Sequence, residues 1–130
     1  MNLNINKSTL TLENKLHNLN EIDFILHSGK IRIYKSNGTI ETVLPDYNSE
    51  ELKLAYLDIV YSISGINADF VFLKPNKLIN VKNIQCLKEN DVDVEILTKG
   101  FNLKLTDLSR SQTLGLKEAV NQNSEISISL

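Results

Sequence analysis

Phe24-Ile25-Leu26-His27-Ser28-Gly29-Lys30-Ile31-Arg32-Ile33-Tyr34-Lys35-Ser36-Asn37-Gly38-Thr39-Ile40-Glu41-Thr42-Val43 is the stretch that decides the fold. It places two turn signals between three β-forming runs. Ser28-Gly29 separates Phe24–Leu26 from Ile31–Lys35, and Asn37-Gly38 separates that run from Thr39–Leu44. An Asn-Gly pair between β-formers predicts a type I′ hairpin, because both central residues of that turn need positive φ. Side chains alternate along a strand, so Ile31 and Ile33 share one face of the middle run while Arg32 and Tyr34 share the other.

Downstream, Pro45 ends the third strand. Asn48 stands three residues before Glu51, the spacing of an N-cap with a reciprocating carboxylate. Leu52, Ala55, Tyr56, Ile59, Val60 and Ile63 follow at helical spacing, which predicts a helix over roughly 49–63 that stops at Gly65. Phe70–Leu73 is β-like and is broken by Lys74-Pro75-Asn76-Lys77. Leu78 to Ile84 then resumes with apolar residues on both sides. Val92, Val94 and Ile96 alternate with acids, Lys99-Gly100 makes a turn, and Phe101, Leu103 and Leu105 alternate with polar residues. That pattern is an antiparallel hairpin with one wet face. Leu108 to Val120 predicts a short helix, weakened at Gly115 by about 1 kcal/mol relative to alanine. Upstream, Thr9–Leu12 reads as a strand and Leu16–Leu19 as a poorer apolar patch. Residues 1–120 thus form one mainly β domain (α+β by strict count) of antiparallel hairpins with one central helix and a short C-terminal helix. Residues 121–130 make a polar tail that either adds an edge strand or stays disordered.

A chain of 130 residues is one domain's worth, and 42% hydrophobic with 23% charged residues is ordinary for a globular protein. No apolar run approaches the roughly 18–20 residues that span a bilayer, and the N-terminus lacks the charged-then-apolar order of a signal peptide. The single cysteine, Cys86, leaves no intramolecular disulfide and reads as a small hydrophobe. These features point to a cytoplasmic protein with no membrane partner. The net charge of −2 argues mildly against a strong phosphate binder. Its distribution qualifies that. Lys30, Arg32 and Lys35 occupy 24–40 without an acid, and Lys74, Lys77, Lys82 and Lys88 occupy 70–88 without one. A near-neutral total can hide a basic face, with ordinary solvated surface as the competing reading.

Catalytic constellations are missing from the sequence. Two histidines, His17 and His27, and one cysteine give no zinc spacing. There is no glycine-rich phosphate loop and no nucleophile elbow. Acid pairs such as Asp91/Asp93 and Glu50/Glu51 read as solvated surface. The expectation is a non-enzymatic binding protein without cofactor or metal.

The order of elements resembles the LytTR DNA-binding domain of bacterial response regulators, in divergent form. That family opens with a strand, follows with a "dIlyIe…G…I.T.dG" hairpin and a helix, and continues with an "F.R.HrSylVN...I" segment. A last hairpin then leads through "SR" into a short helix. Here 21–38 stands at the first hairpin and 49–63 at the helix. Phe70 with Leu78-Ile79-Asn80-Val81-Lys82-Asn83-Ile84 is similar to the "F…LVN..hI" segment, Asn80 and Ile84 matching directly. Val94–Leu105 stands at the last hairpin, and Ser109-Arg110 resembles the terminal "SR". Lys74 and Asn76 stand where the family has His and Ser, and Pro75 departs from the pattern. An alternative offset would set Thr106-Asp107 on the "SR" position.

The resemblance covers roughly 9–120 and implies a bacterial transcriptional regulator, without a receiver domain of its own, whose loops enter the major groove of double-stranded DNA. It implies that Arg110, next to Ser109, donates bidentately to guanine. Asn76 would pair with adenine or bond a phosphate, and Lys30, Arg32, Lys74 and Lys77 would neutralise phosphates. Regulation would come from a regulatory protein partner, from expression level or from self-association, a homodimer suiting repeated sites. The acidic balance, Pro75 and the missing His and Ser favour an alternative, a protein–protein interaction module that keeps the fold and not the DNA surface. A third reading is an unrelated β domain binding a small ligand or carbohydrate.

Overall fold

The computed structural model describes residues 1–122 and 127–129. It is mostly β and antiparallel, with two helices, as the sequence pattern predicts. The strands are β1 (Leu3–Ile5), β2 (Thr9–Leu12), β3 (Lys15–Asn18), β4 (Ile22–Ser28), β5 (Lys30–Lys35), β6 (Ile40–Val43), β7 (Phe70–Leu73), β8 (Lys77–Asn80), β9 (Ile84–Glu89), β10 (Val94–Thr98), β11 (Asn102–Leu105) and β12 (Ser127–Ser129). The helices are α1 (Ser49–Ser64) and α2 (Arg110–Asn121).

The strands form three sheets, ordered β1-β2-β3, β6-β5-β4-β8-β7 and β11-β10-β9-β12. The five-stranded sheet is central, and its two faces feed two cores. Ile25, Ile31, Ile33 and Leu78 pack with Leu10 and Leu12 of the first sheet and with Leu52, Tyr56, Ile59 and Ile63 of α1. Phe24, Leu73 and Ile79 on the opposite face pack with Leu87, Val94 and Ile96 of the third sheet and Leu116 and Val120 of α2. Among the described residues only β12 pairs in parallel, Ile128 standing opposite Leu87 of β9. The rest of the tail, 123–126 and 130, lies outside the described residues.

α1 forms as its sequence dictates. Asn48 accepts from the Glu51 amide at 2.9 Å, and Glu51 accepts from the Asn48 amide at 3.0 Å. The six residues at helical spacing are the six that are buried. Tyr56 Oη donates to the Ile25 carbonyl at 2.7 Å, tying the helix to β4, and burial pushes its phenol pKa up.

Three local expectations are corrected. Asn37-Gly38 does not make a type I′ turn, because only Gly38 has positive φ (88°). The Gly38 amide donates to the Lys35 carbonyl at 2.9 Å, and the Lys35 amide to the Thr39 carbonyl at 2.9 Å. This is a three-residue loop closed by a left-handed glycine. Two consecutive positive φ values occur instead at Glu13 (47°) and Asn14 (68°), between β2 and β3. The poor apolar patch at 16–19 is therefore the second strand of a hairpin, with His17 buried and Leu16 exposed. Val92, read as part of the alternation, lies outside β10 and is 79% exposed.

Candidate nucleic-acid interface

Three connections meet at one end of the central sheet. The β4–β5 hairpin turns at Gly29, whose φ of 71° is the left-handed region that glycine tolerates without steric cost. The β7–β8 turn spans Lys74 to Asn76, with a cis Lys74–Pro75 bond. The β11–α2 connection runs from Thr106 to Ser109.

Hydrogen bonds hold these connections together. The His27 amide donates to the Asn76 carbonyl at 3.1 Å, so the first hairpin is laced to the β7–β8 turn. Gln112 Nε2 donates to the Lys74 carbonyl at 2.7 Å, so the start of α2 is laced to the same turn. Lys77 Nζ meets Asp107 Oδ2 at 3.0 Å, a second link between β8 and the β11–α2 connection. The sequence-predicted residues, from segments up to about eighty positions apart, are thereby brought to one end. Lys30, Lys74 and Arg110 are exposed there, and Asn76 is half-buried.

Arg32 is half-buried. It pairs with Leu26, which pairs with Lys77, so all three lie in one row across the sheet. Lys30, two residues before Arg32, shares that face.

Lys77 is not the free surface cation that its residue type suggests. It is 8% exposed, and its ammonium is taken up by Asp107 Oδ2 and by Asn76 Oδ1 at 2.8 Å. The Lys77 hydrogen bond and charge hold the Asp107 carboxyl below the usual carboxylate range, against a smaller opposing effect of burial. Burying an ammonium is costly unless it is paired, so this lysine is committed to the fold. Asn76 spends its carbonyl on Lys77, and among the described residues its amide nitrogen has no partner.

Ser109 caps α2. Its hydroxyl accepts from the Gln112 amide at 3.2 Å, and Gln112 returns Oε1 to the Ser109 amide at 3.0 Å. The cap fixes Arg110 at the first helical position. Because Gln112 also holds Lys74, one side chain sets the spacing between Arg110 and the β7–β8 turn.

Asn80, matched directly to the family pattern, lies elsewhere and has another task. It is 2% exposed, and Nδ2 donates to the Ile22 carbonyl at 3.0 Å and more weakly to the Leu19 carbonyl at 3.4 Å. Its Oδ1 accepts from the Lys82 amide at 3.1 Å. It latches β8 to the chain entering β4.

Sequence reasoning missed the apolar neighbour of this end. A groove of about 480 Å³ between α1 and the 74–76 turn is floored by Tyr56 and Phe72 and edged by Leu57, Tyr61 and Pro75. Tyr61, 61% exposed, and Leu57 are four residues apart on α1, a helical spacing that could have revealed it. Comparisons with protein-family models, curated proteins and solved structures found no match to this chain.

Proposed function

We propose that the chain is a sequence-specific, double-stranded DNA-binding protein that regulates transcription, with the end that carries Lys30, Lys74, Asn76 and Arg110 set against the major groove. The observation that supports this reading is the hydrogen-bonded convergence of three distant connections. A solvated surface needs no such lacing, whereas reading a base edge requires side chains on a rigid frame. Arg110 is suited to a bidentate contact with guanine, and Lys30 and Lys74 to phosphates. Asp107 is compatible with a phosphate surface because its charge is balanced by Lys77.

The experiment is selection from random duplex DNA, followed by titration in salt. The reading expects an enriched motif, with a log–log salt slope of about −0.9 per phosphate neutralised. Arg110→Ala should cost about 1–3 kcal/mol and relax one position of the motif. No enrichment at low salt would overturn it.

One observation favours the second reading, a protein-interaction module. The groove beside Phe72 and Leu57 leaves a large apolar side chain, Tyr61, 61% exposed next to this end, as an interaction surface does. Under this reading the same selection yields no motif.

A further inference from the structure

The groove between α1 and the 74–76 turn is apolar at its base and cationic at its rim. One wall is a helix face, with Lys53, Leu57 and Tyr61 at successive intervals of four residues. The other wall is the turn itself, with Lys74, Pro75 and Asn76. Between them lie Phe72 and His27, both half-buried. Their rings rest on that of Tyr56, at centroid distances of 6.2 and 5.3 Å. Tyr56 is 1% exposed and its hydroxyl is spent on the Ile25 carbonyl, so it supports the base without facing a ligand. The volume of about 480 Å³ is within the range of about 300–1,000 Å³ typical of small-molecule sites.

The polar lining is one-sided. Lys53 and Lys74, one on each wall, are exposed, and no acid lines the groove. Among the described residues neither lysine forms an ion pair. Asn76 adds a donor and no acceptor. Its Oδ1 accepts from Lys77 Nζ at 2.8 Å, and its amide nitrogen has no partner among the described residues. Because Lys77 is 8% exposed and committed to the fold, it fixes which end of the Asn76 amide is left over. Two ammoniums and an amide nitrogen call for an anionic acceptor. Lys53 and Tyr61 are eight residues apart, about 12 Å along the helix axis, which is room for a two-ring acid.

We infer that this groove binds a compact aromatic carboxylate, its rings against Phe72, Pro75 and Tyr61 and its carboxylate held by the rim nitrogens of Lys53, Lys74 and Asn76. An ammonium is disfavoured because it meets two like charges. A neutral carboxamide is disfavoured because it forgoes both ion pairs. A protein partner would cover roughly 800 Å² of this chain, whereas the groove has the volume of a single small molecule. The inference rests on neither reading given above. Lys74 and Asn76 also belong to the end set against DNA, but the test contains no DNA, so its outcome and that of the duplex selection are separate.

The test is NMR titration of the intact protein at low salt with indole-3-acetate and, separately, with its neutral analogue indole-3-acetamide. The acid should half-saturate at about 1 mM or below. Its saturable shifts should fall on amides in 53–61 and 72–76 and on His27. The amide should bind about five- to thirtyfold more weakly, the worth of two partly exposed ion pairs, and added salt should narrow that ratio. The double variant Lys53→Gln, Lys74→Gln should bring the two probes to within about twofold of each other by weakening the acid alone. Both lysines are exposed, so the fold is kept. Tyr61→Ala should weaken both probes alike. Equal binding of the two probes to the wild type, a ratio unchanged in the double variant, or no saturable shifts at these residues would each overturn the proposal.

Discussion

Replacing Asn80 with alanine isolates the latch between β8 and the chain entering β4. The side chain makes two hydrogen bonds of good length, to the Ile22 carbonyl at 3.0 Å and from the Lys82 amide at 3.1 Å, and a weak one to Leu19 at 3.4 Å. A net buried hydrogen bond contributes about 1 kcal/mol, and an orphaned buried partner costs more. The Ile22 carbonyl would keep Asn83 Nδ2 at 3.2 Å, which limits that second effect. Two good bonds, a discounted third and the space left by a carboxamide at 2% exposure sum to about 2–3 kcal/mol. With a urea m-value of about 1–3 kcal/mol/M, the midpoint falls by roughly 0.7–3 M. The assay is urea unfolding followed by far-ultraviolet circular dichroism, fitted for midpoint and slope separately. A loss under about 0.5 kcal/mol at unchanged slope would refute the latch.

Asp107→Asn removes an acid beside the proposed DNA end and leaves the charge of the buried Lys77 unbalanced there. Duplex binding should tighten at low salt and its salt slope should steepen by about 0.9, read by fluorescence anisotropy. Gly100→Ala should destabilise by about 1–3 kcal/mol in thermal or urea melts, because a Cβ there would lie 2.9 Å from the Gly38 nitrogen and 2.9 Å from the Lys35 carbonyl oxygen, both backbone atoms. His17 is held below its ordinary pKa, chiefly by burial. The unfolded chain therefore binds its proton first, so stability falls as pH drops below the ordinary histidine range. His17→Phe should flatten that part of the urea-midpoint profile.

The elements legible in the sequence are those whose signals are local. Asn48, Glu51 and the helical spacing of Leu52 to Ile63 carry everything α1 needs. The alternation at Phe101, Leu103 and Leu105 likewise announces its hairpin. The β2–β3 hairpin was hidden because its turn, Glu13-Asn14, has no glycine and the one buried residue of β3 is a histidine. Lys77 looked like surface because its residue type is usually solvated. Its burial depends on pairing with Leu26 and on Asp107, thirty residues away, which no local pattern records. The gathering of Lys30, Lys74 and Arg110 follows from element order, but the lacing through Gln112 could be seen only in three dimensions.

The central sheet has a consequence for dissecting the molecule. Phe24 faces one core and Ile25 the other, and all four residues of β8 are buried. No cut of the chain separates the two cores, because β4 and β8 belong to both. A fragment ending before Lys77 would strip β4 of a neighbour and leave α1 resting on half a sheet. A fragment beginning after α1 would carry β8 and the third sheet with no β4 to receive Asn80. Domain-trimming for expression is therefore confined to the two ends of the chain, outside 3–120, because β1 to β3 carry Leu10 and Leu12 into the first core.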